Sequence, residues 1–256
     1  MGRVFLSIAL LSIALLAAVS AAANAQTQQP QQTQSTQESD AWTWCTGGAG
    51  LWPEVQINAC TTIIQTRGEA PARVATAYYK RGYAHKLKRE FDKAIADYNE
   101  SIKLNPRDAF VLVQRGIAYK SKGDVAHAFA DYGEALRVDP NNAEALDARC
   151  YAYAVQGDLQ KALADCSESL RLKPNTDYAL DSRGLTYLKM GQFAEAIKDY
   201  DAALAINPRI EESLYGRGIA KLKQGDAAGG KADITAARSL APDISDRMAR
   251  LGVKPD

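Results

Sequence analysis

The chain has 256 residues, 46% of them hydrophobic and 24% charged, with 31 basic against 30 acidic side chains. That is the composition of an ordinary globular protein. Its near-neutrality leaves no basic face for nucleic acid and no electrostatic pull toward anionic lipid.

The first 25 residues read as a secretory signal peptide. Arg3 is their only charge, an apolar run follows from Val4 to Val19, and Ala23-Asn24-Ala25 supplies a small-residue cleavage site, so cleavage is predicted after Ala25. The competing reading, an uncleaved membrane anchor, is disfavoured because the apolar run is shorter than a bilayer span requires. No cysteine follows the run closely, which speaks against lipidation. Loss of Arg3 with the leader leaves 30 basic and 30 acidic side chains and no stable membrane insertion. Residues 26–40, QTQQPQQTQSTQESD, cannot bury enough apolar area to order themselves and are predicted to be a disordered linker.

Residues 41–74 are predicted to form an N-terminal cap. Within them residues 53–64 read as one helix, and Asn58-Ala59-Cys60 echoes Ala164-Asp165-Cys166 further on. From residue 75 to 244 a block of 34 residues recurs five times without a gap: 75–108, 109–142, 143–176, 177–210 and 211–244. Each closes with proline two residues from its end: Pro106, Pro140, Pro174, Pro208 and Pro242. A fixed period of this length predicts stacked small units instead of one irregular core.

Each block carries two apolar stripes at helical spacing. In the second block they are Leu112, Arg115-Gly116 and Tyr119, then Ala128, Tyr132, Ala135, Leu136 and Val138, separated by Gly123-Asp124. Intervals of three and four place each set on one helix face. Glycine ends the first helix, aspartate caps the second and proline stops it. Small residues recur where two helices must touch: Gly82, Gly116, Gly184 and Gly218 at position 8, with Ala94, Ala128, Ala162 and Ala196 at position 20. Tyr98, Tyr132 and Tyr200 fill position 24. A glycine inside a helix costs about 1 kcal/mol against alanine, so its return at one register implies close helix approach. The fifth block carries Gly229-Gly230 in its second helix, which is expected to fray. Residues 245–256 are predicted to form a capping helix ending near Gly252, with Met248 and Leu251 covering the last block.

These positions resemble the tetratricopeptide repeat: a large residue at 4, Gly at 8, Tyr at 11, Ala at 20, an aromatic at 24 and Pro at 32. The departures are His85 and Lys221 at position 11, Gly230 at 20 and Ile234 at 24. The resemblance implies an all-α, right-handed superhelical solenoid of antiparallel helix pairs that holds a peptide or protein segment in a concave groove, and no catalytic activity. In that family the groove is lined from positions 2, 5, 9 and 12. Carried over, this gives Tyr79, Val113, Asp147, Asp181 and Tyr215 at position 5, Tyr83 and Tyr151 among those at 9, and Phe110 and Tyr178 at 2. The lysine and asparagine with which some members grip a free C-terminal carboxylate are missing at positions 5 and 9. An apolar or tyrosine-tolerant extended segment with a basic residue opposite Asp147 and Asp181 is therefore the expected ligand.

Two further sets recur. Position 7 is Arg81, Arg115, Arg149, Arg183 and Arg217, and position 23 is Asp97, Asp131, Asp165, Asp199 and Asp233. They predict a structural ladder of charge pairs, since guanidinium pairs a carboxylate bidentately; the alternative is a site for an acidic ligand. Of the four cysteines, Cys150 stands at position 8 and Cys166 at position 24, both in the third block. A tyrosine over a glycine has been exchanged for two residues of intermediate size. A Cys150–Cys166 disulfide follows, with Cys45–Cys60 as the remaining pair, in keeping with an exported chain. Spacings of 15 and 16 do not suit zinc, no C-x-x-C redox motif occurs, and neither metal nor cofactor is expected. His85 and His127 have no nucleophile arranged beside them and read as structural.

The combined reading is an exported protein–protein interaction scaffold, periplasmic or secreted from a bacterium and acting in cell-envelope assembly. The rival is a periplasmic carrier or enzyme accessory whose groove holds a small molecule or glycan.

Overall fold

A computed structural model describes residues 40–47 and 52–254 as helices joined by short turns. The predicted signal peptide (1–25) and residues 26–39 of the predicted linker lie outside the described residues. The chain divides into two compact units, one ending at Arg89 and the other spanning Glu90–Asp256.

The first unit contains α1 (residues 40–46), α2 (Pro53–Gln65) and α3 (Pro71–Leu87). Proline opens both α2 and α3, where its missing N–H has no partner to lose. Helix α3 begins four residues before the expected block. The Cys45–Cys60 disulfide ties α1 to α2, and Gln56 Nε2 donates to the Cys45 carbonyl at 2.9 Å. Both cysteines are buried with Ile63 and Ala77, and the Arg73 guanidinium lies 4.4 Å over Trp42.

The second unit contains α4 (Phe91–Leu104), α5 (Ala109–Lys122), α6 (Val125–Val138), α7 (Ala143–Gln156), α8 (Leu159–Leu172), α9 (Asp177–Lys189), α10 (Phe193–Ile206), α11 (Glu211–Lys223), α12 (Ala227–Leu240) and α13 (Ile244–Arg250). The helices form two rows. Among the described residues of this unit, helices α5, α7, α9, α11 and α13 touch one another in succession, whereas α4, α6, α8, α10 and α12 pack on members of that first row and not on one another. Contact along one row and not the other requires curvature with the first row inside, which is a solenoid of helical hairpins.

Local chemistry sets each hairpin. Asp108, Asp124, Asn142 and Asp226 cap helices by accepting from a backbone N–H three residues on. Gly123, Gly157, Gly191 and Gly225 take positive φ at position 15 of their blocks. Position 15 of the first block is Arg89, at φ 60°, where a side chain is strained.

Between the rows lies a tight seam. A Cβ on Gly116 would stand 2.5 Å from the Tyr132 ring, and one on Gly184 would stand 2.8 Å from Tyr200. In the third block the Cys150–Cys166 disulfide fills that place, its Cα atoms 5.4 Å apart. In the fifth, Gly218 and Gly230 face each other: a Cβ on either would meet the other's carbonyl oxygen at 2.8 or 2.7 Å. Helix α12 is thus complete over its 14 residues, contrary to the fraying expected from Gly229-Gly230. The glycines bring two backbones together, and the Asp226 cap holds the first turn.

Four rungs of the charge ladder lie within this unit, and all form within their own block. Arg115 donates to Asp131 (2.6 and 2.9 Å), Arg149 to Asp165, Arg183 to Asp199 and Arg217 to Asp233, each through Nε and Nη2. Arg115 and Arg217 also reach back to the preceding block, donating to Asn99 and Asp201 at 2.7 Å. The ladder therefore sets both the hairpin and the stacking register. Arg81 and Asp97 belong to different units; Arg81 donates to Thr61 at 3.0 Å within the first. At the C-terminal end Ile244, Met248 and Val253 are buried, with Leu251 packed beside them.

Candidate functional site

The inner row offers the surface on which a ligand could lie. Its residues divide sharply. Phe110 and Tyr178 at position 2 are 41% and 66% exposed, as a contact residue must be. Val113 and Tyr215 are 0% and 1% exposed and present nothing to a ligand, contrary to expectation. Val113 packs in one cluster with Ala145 of the next inner helix. Tyr215 shares a cluster with Ile244 and Met248, because α13 closes over α11. In the first unit Tyr79 and Tyr83 are half-buried, 6.4 Å apart, with Lys80 and Lys86 over their rings.

Asp147, Tyr151 and Asp181 come together with residues that sequence reasoning did not single out. Ser213 Oγ donates to Asp181 at 2.5 Å, and Ser182 bonds to the Asp147 carboxyl. Burial pushes both carboxyls up to about 6, despite those two serines. The other charges acting on Asp181 are Asp147, Asp177 and Glu211, all negative. Asp147 also feels Glu144 and Asp177, and its nearest compensating charge is Lys120. The Lys120 ammonium sits 4.1 Å over the Tyr151 ring, and burial depresses its pKa against the pull of Asp147. Asp147 Oδ1 is sealed from solvent without a hydrogen-bond partner, as are the Tyr132 and Tyr200 hydroxyls.

From the C-terminal side, Arg247 of α13 pairs with Glu211 at 3.1 Å and with Glu212. It shares a cavity of about 240 Å³ with Tyr151, Glu212, Met248, Arg250 and Leu251. Lys120 stands at position 12, one of the positions named for the groove, so that rule carried the signal for it. Ser182, Ser213 and Arg247 had no signal in the repeat pattern.

His85 is buried, and His127 is exposed, bonded to its helix cap Asp124 at 2.7 Å and stacked on Tyr119. Among the described residues no helix is long and apolar enough to cross a membrane.

Three family models described as tetratricopeptide repeat match the chain, over residues 75–108, 113–176 and 151–214, together more than half of it. No curated protein sequence matches. Among solved structures, a tetratricopeptide repeat protein from Parabacteroides merdae is 16% identical, with 86% of this chain covering 88% of that one at a TM-score of 0.64. PilW, titled a type IV pilus biogenesis factor, is 17% identical over 66% of this chain and 78% of its own, at 0.60. YrrB, titled a repeat protein with an unusual peptide-binding site, is 19% identical over 77% and 97%, at 0.52. At these identities the likeness concerns the fold alone.

Proposed function

The chain belongs to the tetratricopeptide repeat family, and from that premise we propose that it is an exported interaction scaffold holding an extended segment of a partner protein against its inner row. The large, exposed side chains of Phe110 and Tyr178 on that row carry the reading. Asp147, Tyr151 and Asp181 form the polar centre of the site, while the exposed Phe110 and Tyr178 supply apolar contact. Tyr79 and Tyr83 are contact residues of the same class. The role is binding, not catalysis, and the compartment is the bacterial periplasm or exterior. Two disulfides support export, and work in cell-envelope assembly accords with the pilus factor among the structural neighbours.

The test is site-specific photo-crosslinking in cells. A benzoylphenylalanine at Tyr178 should trap one defined protein, whereas the same group at Lys198, on the exposed outer row, should not. Trapping from Lys198 alone would move the interface off the inner row. If Tyr178 traps nothing while a glycan or other small molecule raises the melting temperature, the carrier reading replaces the scaffold.

A further inference from the structure

The cavity at the C-terminal end of the inner row has a wall of mixed origin. Tyr151 and Glu212 come from the repeats, whereas Arg247, Met248, Arg250 and Leu251 come from α13 and its C-cap, outside the repeat pattern. Arg247, Arg250 and Leu251 are spaced by three and four, so one face of that short helix turns all three to the cavity. Met248 is buried and Leu251 half-buried, which makes part of the wall apolar.

The polar groups of this wall are not equivalent. Glu212 is already engaged by Arg247, which also bonds to Glu211 at 3.1 Å and stands 3.8 Å from Asp243. Arg250 is exposed and, among the described residues, has neither hydrogen bond nor ion pair. The Tyr151 hydroxyl also has no hydrogen-bond partner among them, and unlike Asp147 Oδ1 it is not sealed from solvent. Burial and the Asp181 charge hold that phenol above its ordinary value against the pull of Arg247, so it stays a donor at neutral pH.

The free groups of the cavity are therefore both donors, a guanidinium fork and a phenolic O–H, and its one carboxylate is taken. Two arginines stand against one glutamate in the wall, so its surplus is positive. A carboxylate meets both needs: its two oxygens match the fork and keep a lone pair for the phenol. The Asp181 charge acting on Tyr151 disfavours a dianion such as a phosphate. The apolar part of the wall calls for hydrocarbon behind the charge. At about 30 Å³ per water, the cavity of about 240 Å³ suits an acid of roughly eight to ten heavy atoms.

We propose that this cavity seats a free monocarboxylate on a short apolar chain, held by Arg250 and Tyr151 against Met248 and Leu251. The seat lies where α13 closes the inner row and does not involve the exposed Phe110 and Tyr178 of the scaffold reading.

The probe is octanoate, titrated into the full chain by isothermal titration calorimetry. Octanamide, which lacks the charge, should bind at least about tenfold more weakly. Butanoate, which leaves the apolar wall uncovered, should bind at least about fivefold more weakly. Arg250→Gln should weaken octanoate at least about tenfold while keeping the helical circular dichroism of the parent. Equal affinity for octanoate and octanamide, or full affinity in Arg250→Gln, would overturn the carboxylate seat, as would binding of methyl glucoside in place of octanoate. The Tyr178 crosslink reads the other proposal separately. If the crosslink forms and octanoate does not bind, the scaffold stands and this seat falls. If octanoate binds through Arg250 and Tyr178 traps nothing, the seat stands and the scaffold falls.

Discussion

The seam between the two rows and the inner face are built from the same blocks, yet they treat aspartate in opposite ways. Along the seam Asp131, Asp165, Asp199 and Asp233 are buried, and each receives two bonds from its own arginine. On the inner face Asp181 is enclosed among like charges and Asp147 sets Lys120 against Glu144 and Asp177, each carboxyl with a serine as hydrogen-bond donor. Departures from the repeat follow the same division. In the seam the loss of glycine and tyrosine in the third block is matched by a disulfide, and Gly230 is matched by Gly218. The inner face has no such compensation. The arginine pairing of the seam carboxylates serves stability, and the inner carboxylates lack it.

The largest way to break this contrast is to orphan a seam aspartate. Arg183→Ala leaves Asp199 buried without its cation and should cost about 3–5 kcal/mol in urea unfolding. Replacing the pair together, Arg183→Met with Asp199→Leu, should recover most of that loss. If the single variant costs under about 1 kcal/mol, the rungs are ornament, and the contrast with the inner face dissolves.

Next comes the exchanged rung of the third block. Reduction of Cys150–Cys166 opens a loop of sequence separation 16 and should lower stability by about 3 kcal/mol. Cys150→Gly with Cys166→Tyr restores the pattern of the neighbouring blocks. Under reducing conditions that variant should melt above the reduced parent, and a melt below it would show that the seam is not modular.

The inner face should respond with the opposite sign. Asp181→Asn removes a charge surrounded by Asp147, Asp177 and Glu211, keeps an acceptor for Ser213, and should stabilise the chain at pH 7.5 by on the order of 2 kcal/mol. The parent follows the same logic. Folding raises both carboxyls from an ordinary value near 3.8 to about 6. The native state then binds more protons than the unfolded chain between those values, so stability rises as pH falls from about 7 toward 4. Melting temperatures across that window check it, and a fall on acidification would mean that the two groups are paired after all. The advantage of Asp181→Asn should vanish near pH 4.

The smallest effect sharpens the rule outside both regions. Arg89 holds φ 60° where the other four blocks have glycine. Arg89→Gly should stabilise by about 1 kcal/mol, offset in part by the freer unfolded chain. A loss would show that the arginine side chain has a partner worth more than the strain.

Most of the seam was legible in the sequence. Position 8 and position 24 are separated by 16 residues in every block, so the exchange of Gly and Tyr for Cys150 and Cys166 announced contact before any coordinate. Gly230 was misread because its partner Gly218 lies in the other helix, and intrinsic propensity takes no account of a facing backbone. The inner face was legible only in part. Position 5 holds Asp147, Asp181 and Tyr215 alike, and the pattern does not record that α13 covers the last of them. Arg247 comes from outside the repeat altogether, so no periodicity could have placed it beside Glu211.

The outer helices of the second unit rest on the inner row and not on one another. Such a stack has the mechanics of a hinge strip: one edge is continuous and the other is cut into separate slats. Tilting neighbouring hairpins breaks little along the cut edge, so the pitch of the inner edge can be adjusted by small rotations shared among several joints. A trough of this kind can change its curvature without unfolding any part of itself.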